Sequence, residues 1–294
     1  MATDNVCGVP MGGEPGEAPT LMIGTIFYDG HDIVEDQSKG AFDKNKAKAL
    51  IELQAHWSQI TGLPCCLDVV ASTEEAMENY LEFVVGEFDG PVMVDGSDAK
   101  VKMAGMRYLA SKKLSDRVIY NSVSMETTDL ELETIQECGV KVVIALVMNS
   151  LDFSAEGKMK LVTGENGPVA KAKKYGVEKI LIDPGVIDLP SIGTVKEVME
   201  KVRPLGYLTG SGVHNALSNW KGLKTKIGKD FKPAAKAVVN ALSTAWNGDF
   251  VLYGPISDAP IVFPAVAMVD AILAQSRLEK GEAPDISHPL FKIA

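Results

Sequence analysis

The chain has 294 residues, 46% of them hydrophobic and 23% charged, with a formal net charge of −10 and a pI of about 5.0. That is ordinary for a soluble globular protein with a large core. The lack of a basic run argues against nucleic acid as a partner. No uncharged apolar run is long enough to span a bilayer, and no basic segment followed by an apolar stretch opens the chain. A cytoplasmic protein without membrane insertion is therefore expected. The length suits one α/β barrel of about 250 residues with extras. Cys7, Cys65, Cys66 and Cys138 form no C-x-x-C and have no His at a zinc-ligand spacing, so they read as thiols in a reducing compartment and no metal site is expected.

Residues 1–20 are rich in Gly and Pro and read as a loop or short hairpin. Leu21 to Tyr28 is the first apolar strand, followed by a polar loop over residues 29–42. Asp43 caps a helix to Thr61, and Gly62 stops it. Pro64 to Val70 is strand two, with Asp68 near its end. Thr73 caps a helix whose Met77, Tyr80, Leu81, Val84, Val85 and Phe88 share one face. Strand three starts at Pro91 and ends at Asp95. Ser97 or Asp98 caps the helix after it, with Val101, Ala104, Tyr108 and Leu109 in one stripe. Strand four, from Val118, ends at Asn121, and Thr127 or Thr128 caps a helix to Cys138.

Lys141 to Met148 is strand five, ending at Asn149, and residues 150–165 read as a loop because they hold Gly157 and Gly164. Pro168 to Tyr175 is a helix. Lys179 to Ile182 is strand six, ending in Asp183-Pro184-Gly185, and Thr194 to Val202 is a helix. Leu205 to Thr209 is strand seven, followed by a loop with His214 and Asn215. Pro233 to Trp246 is a helix, Phe250 to Tyr253 strand eight, and Pro264 to Leu278 the closing helix before a polar tail over 280–294. Eight apolar strands alternating with helices imply a parallel sheet, and the count favours a single TIM (β/α)8 barrel over an open sheet, with one domain across 1–294.

In such a barrel the strand ends gather at one mouth. Asp68, Asp95, Asn121, Asn149, Asp183 and Asn215 then form a set of carboxylates and carboxamides. Any one of them alone is a common cap or turn residue. Together they suit a planar heterocycle rich in N–H donors, such as a pterin, whose 2-amino group and N3–H one carboxylate accepts in a fork. No Lys is placed for a Schiff base, and no Ser or Cys has a plausible base. A pterin synthase of this fold needs basic groups for a pyrophosphate leaving group, and no Lys or Arg stands at a strand end. Asp29-Gly30-His31 begins like a cobalamin-binding D-x-H-x-x-G, but Val34 stands where the Gly belongs. Gly210-x-Gly212 opens like a dinucleotide fingerprint, but Asn215 stands where its third Gly belongs. Trp220 and Trp246 read as core residues.

LMIGTIFY with DGHDIVED, CCLDVVAST, VMVDGSDA, VIYNSVS, LIDPGV and GSGVHNALSNW, over about residues 8–255, resemble the methyltransferase H-subunit family of tetrahydromethanopterin S-methyltransferase. They resemble most its bacterial relatives, which move methyl groups between methylcobalamin and tetrahydrofolate in glycine betaine metabolism. The resemblance implies a pterin-binding TIM barrel forming 5-methyltetrahydrofolate, a cobalamin or other corrinoid carried by a partner protein, and a homodimer. It also implies that Asp95, Asn121 and Asp183 hold the pterin ring, with Asp68 and Asn149 close by, and that Asn215 contacts N5, where the methyl group sits. His214 would support the site or donate a proton near N5. The archaeal members read IDS or IDST at strand three, whereas here Gly96 separates Asp95 from Ser97. The same enzyme class acting on tetrahydromethanopterin inside a larger complex, and a subunit that only binds a corrinoid protein, are the competing readings.

Overall fold

The computed structural model describes residues 2–294. β1 (Thr3–Val6) and β2 (Val9–Gly12) pair as an antiparallel hairpin, and β3 (Leu21–Ile26) opens the barrel. A second small hairpin, β4 (Val34–Asp36) with β5 (Ala41–Phe42), lies within the stretch read as polar loop. Then come α1 (Lys44–Thr61), β6 (Cys65–Ala71), α2 (Glu74–Glu87), β7 (Val92–Gly96), α3 (Ala99–Ser111), β8 (Val118–Val123) and α4 (Asp129–Glu137). The second half runs β9 (Val142–Leu146), α5 (Ala155–Thr163), α6 (Pro168–Lys174), β10 (Lys179–Asp183), α7 (Ile192–Val202), β11 (Leu208–Ser211), α8 (Asn215–Asn219), α9 (Lys232–Ala245), β12 (Phe250–Pro255), α10 (Ala259–Leu278) and α11 (Pro289–Ile293). The eight long strands close in the order β3-β6-β7-β8-β9-β10-β11-β12, all parallel. This is a TIM barrel.

The helix starts follow from local chemistry. Asp43 Oδ1 accepts the amides of Asn45 and Lys46 at 3.0 and 3.1 Å. Thr73 and Asp98 cap α2 and α3 in the same way, and Thr128 forms a full capping box with Glu131. Gly62, at φ 76°, ends α1 in the left-handed conformation open to glycine.

Three readings need correction. Residues 155–163 are a helix: Ser154 caps it, and Leu161 and Val162 bury one side. Gly157 tolerates the first turn, where its conformational cost is partly offset by the Ser154 hydroxyl accepting its amide at 3.0 Å. The closing helix starts at Ala259 with Pro260 in its first turn, so Pro264 falls inside it. The tail ends in the short helix α11, which packs on α1 and α10. Helix α10 belongs to a segment, Ile256–Leu278, apolar and long enough to cross a membrane, but half of that segment is buried against the rest of the fold. Asp270 interrupts it and accepts both the amide and the hydroxyl of Thr20, at 2.9 and 3.1 Å.

The barrel interior sets up the site. Side chains alternate along a strand, so Ile23, Cys66, Met93, Ile119, Ile144 and Leu181 belong to one apolar cluster inside the barrel. Val6, Val9 and Met11 of the N-terminal hairpin belong to the same cluster and plug the floor. Two residues further up each strand the inward positions are Thr25, Asp68, Asp95, Asn121 and Asp183. The polar mouth is thus the next layer of a packed apolar barrel. Met11→Ala should lower stability by about 2–5 kcal/mol through the cavity it leaves in the floor. Urea denaturation would measure this as a lower midpoint at unchanged slope.

Candidate functional site

Asp68 and Asp95 face each other across neighbouring strands. The Thr25 hydroxyl donates to Asp68 Oδ2 at 2.9 Å, and the Gly96 amide donates to Asp95 Oδ1 at 2.7 Å. Asn121 Nδ2 donates to Asp95 Oδ2 at 3.3 Å. Asp68 is only 3% exposed, and its Oδ1 is buried with no hydrogen-bond partner among the described residues. Burial, then the charge of Asp95, pushes the Asp68 carboxyl well above the usual carboxylate range, against the pull of Thr25 and Asn121. Burial raises Asp95 to about 6, against the Gly96 amide and Lys102. The two carboxyl groups therefore compete for one negative charge.

Asp183 sits two strands beyond Asn121, at the end of β10. Its Oδ1 accepts the Gly185 amide at 2.8 Å and the Ser211 hydroxyl at 3.0 Å. Burial raises its pKa, and these donors with Lys158 pull it back. Lys158 is a site residue that the sequence reading missed, because it lies on α5, in the segment read as loop. It is 2% exposed, and its Nζ donates to the Gly185 carbonyl at 3.1 Å and to Thr194 Oγ1 at 3.2 Å. Burial lowers the pKa of the lysine, and Asp183 raises it. The available signal was Ser154 four residues ahead of Lys158, followed by Leu161 and Val162 at helical spacing.

The other residues group less tightly. β9 ends at Leu146, so Asn149 lies in a turn, where its Oδ1 accepts the Leu151 amide at 2.9 Å. It still faces the mouth. With Leu146, Met148, Phe153 and Ile187 it lines a cavity of about 350 Å³ over the end of β9, between the strands of Asn121 and Asp183. Asn215 begins α8, is exposed, and its carboxamide makes no hydrogen bond among the described residues. His214 Nδ1 is 2.9 Å from the Leu252 carbonyl. Since a carbonyl only accepts, Nδ1 carries the proton. Burial holds the ring below its usual pKa, so neutral His214 offers Nε2 as an acceptor and not as a proton donor. Gly254 makes this possible: a Cβ there would stand 2.7 Å from His214 Cδ2.

A second cavity, of about 410 Å³, adjoins His214 over β11 and β12. Trp220 and Trp246, read as core residues, both pack against the outer core, and Trp220 also lines this cavity. His31 is buried and stacked on Tyr28 at 4.4 Å, and its Nδ1 accepts the Phe27 amide at 3.1 Å. Its ring is committed to the loop. Among the described residues no three His, Cys, Asp or Glu side chains are grouped to hold a metal.

The closed parallel barrel is similar in fold to the TIM barrels of dihydropteroate synthases. It matches the Yersinia pestis dihydropteroate synthase with a TM-score of 0.63 at 10% identity, covering 95% of this chain and 100% of that one. The Xanthomonas albilineans enzyme gives 0.62 at 17%, covering 94% and 98%. At these identities the likeness concerns the fold alone. The family of the tetrahydromethanopterin S-methyltransferase MtrH subunit matches residues 2–284, and the chain belongs to that family. The H subunit of that enzyme from Methanothermobacter thermautotrophicus is 38% identical over 298 residues, covering 98% of this chain and 96% of its own. The H subunit of a putative mtx methyltransferase from Methanosarcina acetivorans is 36% identical, covering 97% and 95%.

Lys158→Met removes the cation beside Asp183. The Asp183 carboxyl should then titrate at higher pH than in the unmodified protein, as followed by carboxylate carbon NMR. An unchanged titration would mean that the lysine acts on the turn alone.

Proposed function

We propose that this methyltransferase family member binds a reduced pterin at the barrel mouth and moves a methyl group between its N5 and a corrinoid carried by a partner protein. The observation that carries the reading is the excess of acceptors: buried Asp68 and Asp183 and half-buried Asp95 stand at one mouth, and Asp68 Oδ1 has no donor among the described residues. Such a site requires a ligand rich in N–H groups, and a pterin edge is one. The apolar wall of Leu146, Met148, Phe153 and Ile187 suits the flat ring. Asp95, Asn121 and Asp183 would take the donor edge, with Asp68 behind them and Asn149 at the rim.

The similar proteins include one named for tetrahydromethanopterin, so that pterin is the first candidate. Tetrahydrofolate, favoured by the sequence resemblance, takes second place. A corrinoid, when docked, supplies the cobalt that accepts or donates the methyl group. This chain orients the pterin and manages charge at N5. As the N5–methyl bond breaks, the electron pair stays on N5, where the Asn215 amide N–H is available to hydrogen-bond it, and N5 gains a proton from water. Neutral His214 is not the source of that proton, and its role here is to hold the loop. The committed ring of His31 agrees with a corrinoid that arrives on another protein. A larger assembly, a homodimer and a cytoplasmic location belong to the same proposal. Exposed Val238 on α9, with Met268 and Ile272 on the adjacent α10, supports an assembly contact.

Anaerobic mixing of methyl-corrinoid with each tetrahydropterin should yield the demethylated corrinoid and one methylated pterin, with tetrahydromethanopterin preferred. No turnover with either pterin, even on a protein-bound corrinoid, would refute the reading. Asp95→Ala and Asp183→Ala should weaken pterin binding by about 100-fold or more with the fold intact, whereas Asn215→Ala should slow transfer by about 100-fold at little change in affinity.

The pH dependence follows from Asp95. Its pKa is raised to about 6, so its acceptor form is lost as pH falls through that value. Pterin affinity should be half-lost near pH 6, level off about one pH unit above it, and keep dropping below it. Asp95→Asn should flatten that profile, as read by calorimetry.

A further inference from the structure

The cavity beside His214 has a chemistry that the ring site does not use. Lys224, Lys229, Lys232 and Lys236 line it, together with Trp220 and Tyr253. In a chain of net charge −10, residues 221–236 hold six lysines and one aspartate. Lys236 is paired with Asp258 at 2.5 Å. Lys224, Lys229 and Lys232 are exposed and make no ion pair among the described residues.

Their placement is also locally unfavourable. Lys232 begins the 14-residue helix α9, whose N-terminus has no acidic residue in its first turn and no side-chain cap. Cations at the positive end of a helix dipole oppose it. A bound anion would relieve that repulsion. A feature that breaks a local rule without a compensating contact marks a functional place.

We propose that this lysine-lined cavity holds the anionic tail, carboxylate or phosphate, of the pterin whose ring occupies the neighbouring mouth. The inference rests on the pterin reading above. Its geometry follows from the ring. N5 and C6 are adjacent atoms, and the tail of a reduced pterin cofactor leaves from C6. A residue that meets N5 therefore stands at the root of the tail. Asn215 is that residue, and His214 beside it lines the cavity. The ring would lie over β9 and β10, and the tail would run past β11 towards β12. Trp220, Leu217 and Tyr253 give an apolar wall for the linker, and the lysines take the charged end. The concavity, about 410 Å³, suits a flexible small-molecule tail better than a flat acidic protein surface.

The test compares tails at constant ring. The unmodified protein and a Lys224→Ala, Lys229→Ala, Lys232→Ala triple variant would be titrated anaerobically with four probes. These are tail-less 6-methyltetrahydropterin, tetrahydrofolate with one glutamate, tetrahydrofolate with four glutamates, and tetrahydromethanopterin with its phosphate. The unmodified protein should bind tail-bearing pterins more tightly, with an affinity that falls with salt. The triple variant should lose about 10-fold or more for them, with a flatter salt dependence, and stay within about two-fold for the tail-less ring. A larger gain from added glutamates assigns the cavity to carboxylates, and a larger gain from tetrahydromethanopterin assigns it to phosphate.

Equal binding of all four probes by the unmodified protein would overturn the inference and leave the ring site standing. So would a triple variant that binds every pterin normally but loses transfer with a corrinoid protein, since the lysines would then belong to the protein partner. Failure of the unmodified protein to bind even the tail-less ring would overturn the pterin reading itself, and the inference with it.

Discussion

Asp68 and Asp95 are two carboxyl groups that compete for one negative charge, held at the rim of the barrel above Cys66, Met93 and Ile119. Burial disfavours the charged form of each, and each charge disfavours the other. Thr25, Gly96 and Asn121 supply too few donors to satisfy both groups, which leaves Asp68 Oδ1 without one. A fold accepts such a deficit where something else will fill it. Barrel closure sets the arrangement: the parallel pairing of β6 with β7 holds both residues on the inward face of neighbouring strands.

The opposite side of the mouth is built differently. Asp183 has two hydrogen bonds to Oδ1 and a buried lysine close by. Lys158 bonds the Gly185 carbonyl and Thr194, so it ties the turn after β10 to α7 while it moderates the charge of Asp183. One side of the mouth thus contains carboxyl groups whose pKa burial and mutual charge push up, and the other contains a carboxylate that a cation helps to keep ionised. A planar ligand bridging the two sides meets acceptors of different character at its two edges, which fixes its orientation as well as its position.

How far the sequence discloses this depends on which physical rule carries each residue. Asp68, Asp95, Asn121 and Asp183 were legible because strand periodicity is two and each follows an apolar inward residue by that step. Asn149 was read as a strand end because KVVIALVM is apolar throughout, but pairing stops at Leu146, and three more residues carry Asn149 into a turn. Lys158 was hidden because Gly157 and Gly164 read as loop punctuation, whereas Gly157 sits in the first turn of α5, where a cap supports it. The lysine cavity was hidden for another reason. No Lys or Arg stands at a strand end, and that is true of the strands, but a barrel mouth is also built from the segments beyond them. The short helical turns between Trp220 and Lys232 carry the cations there.

Charge separation ties these parts together. The chain is acidic overall, its ring site consists mainly of acceptors, and four lysines line one cavity next to that site. A ligand with a donor-rich edge and an anionic end finds complementary groups at both ends, whereas the reverse orientation sets its anion against Asp68 and Asp95. Like charges in contact inside a low-dielectric mouth repel far more strongly than they would in water. The same field that draws the tail towards the lysines therefore excludes the inverted pose. In the proposed pose the N5 face would lie beside Asn215 at the open mouth, where a partner protein would have access to it.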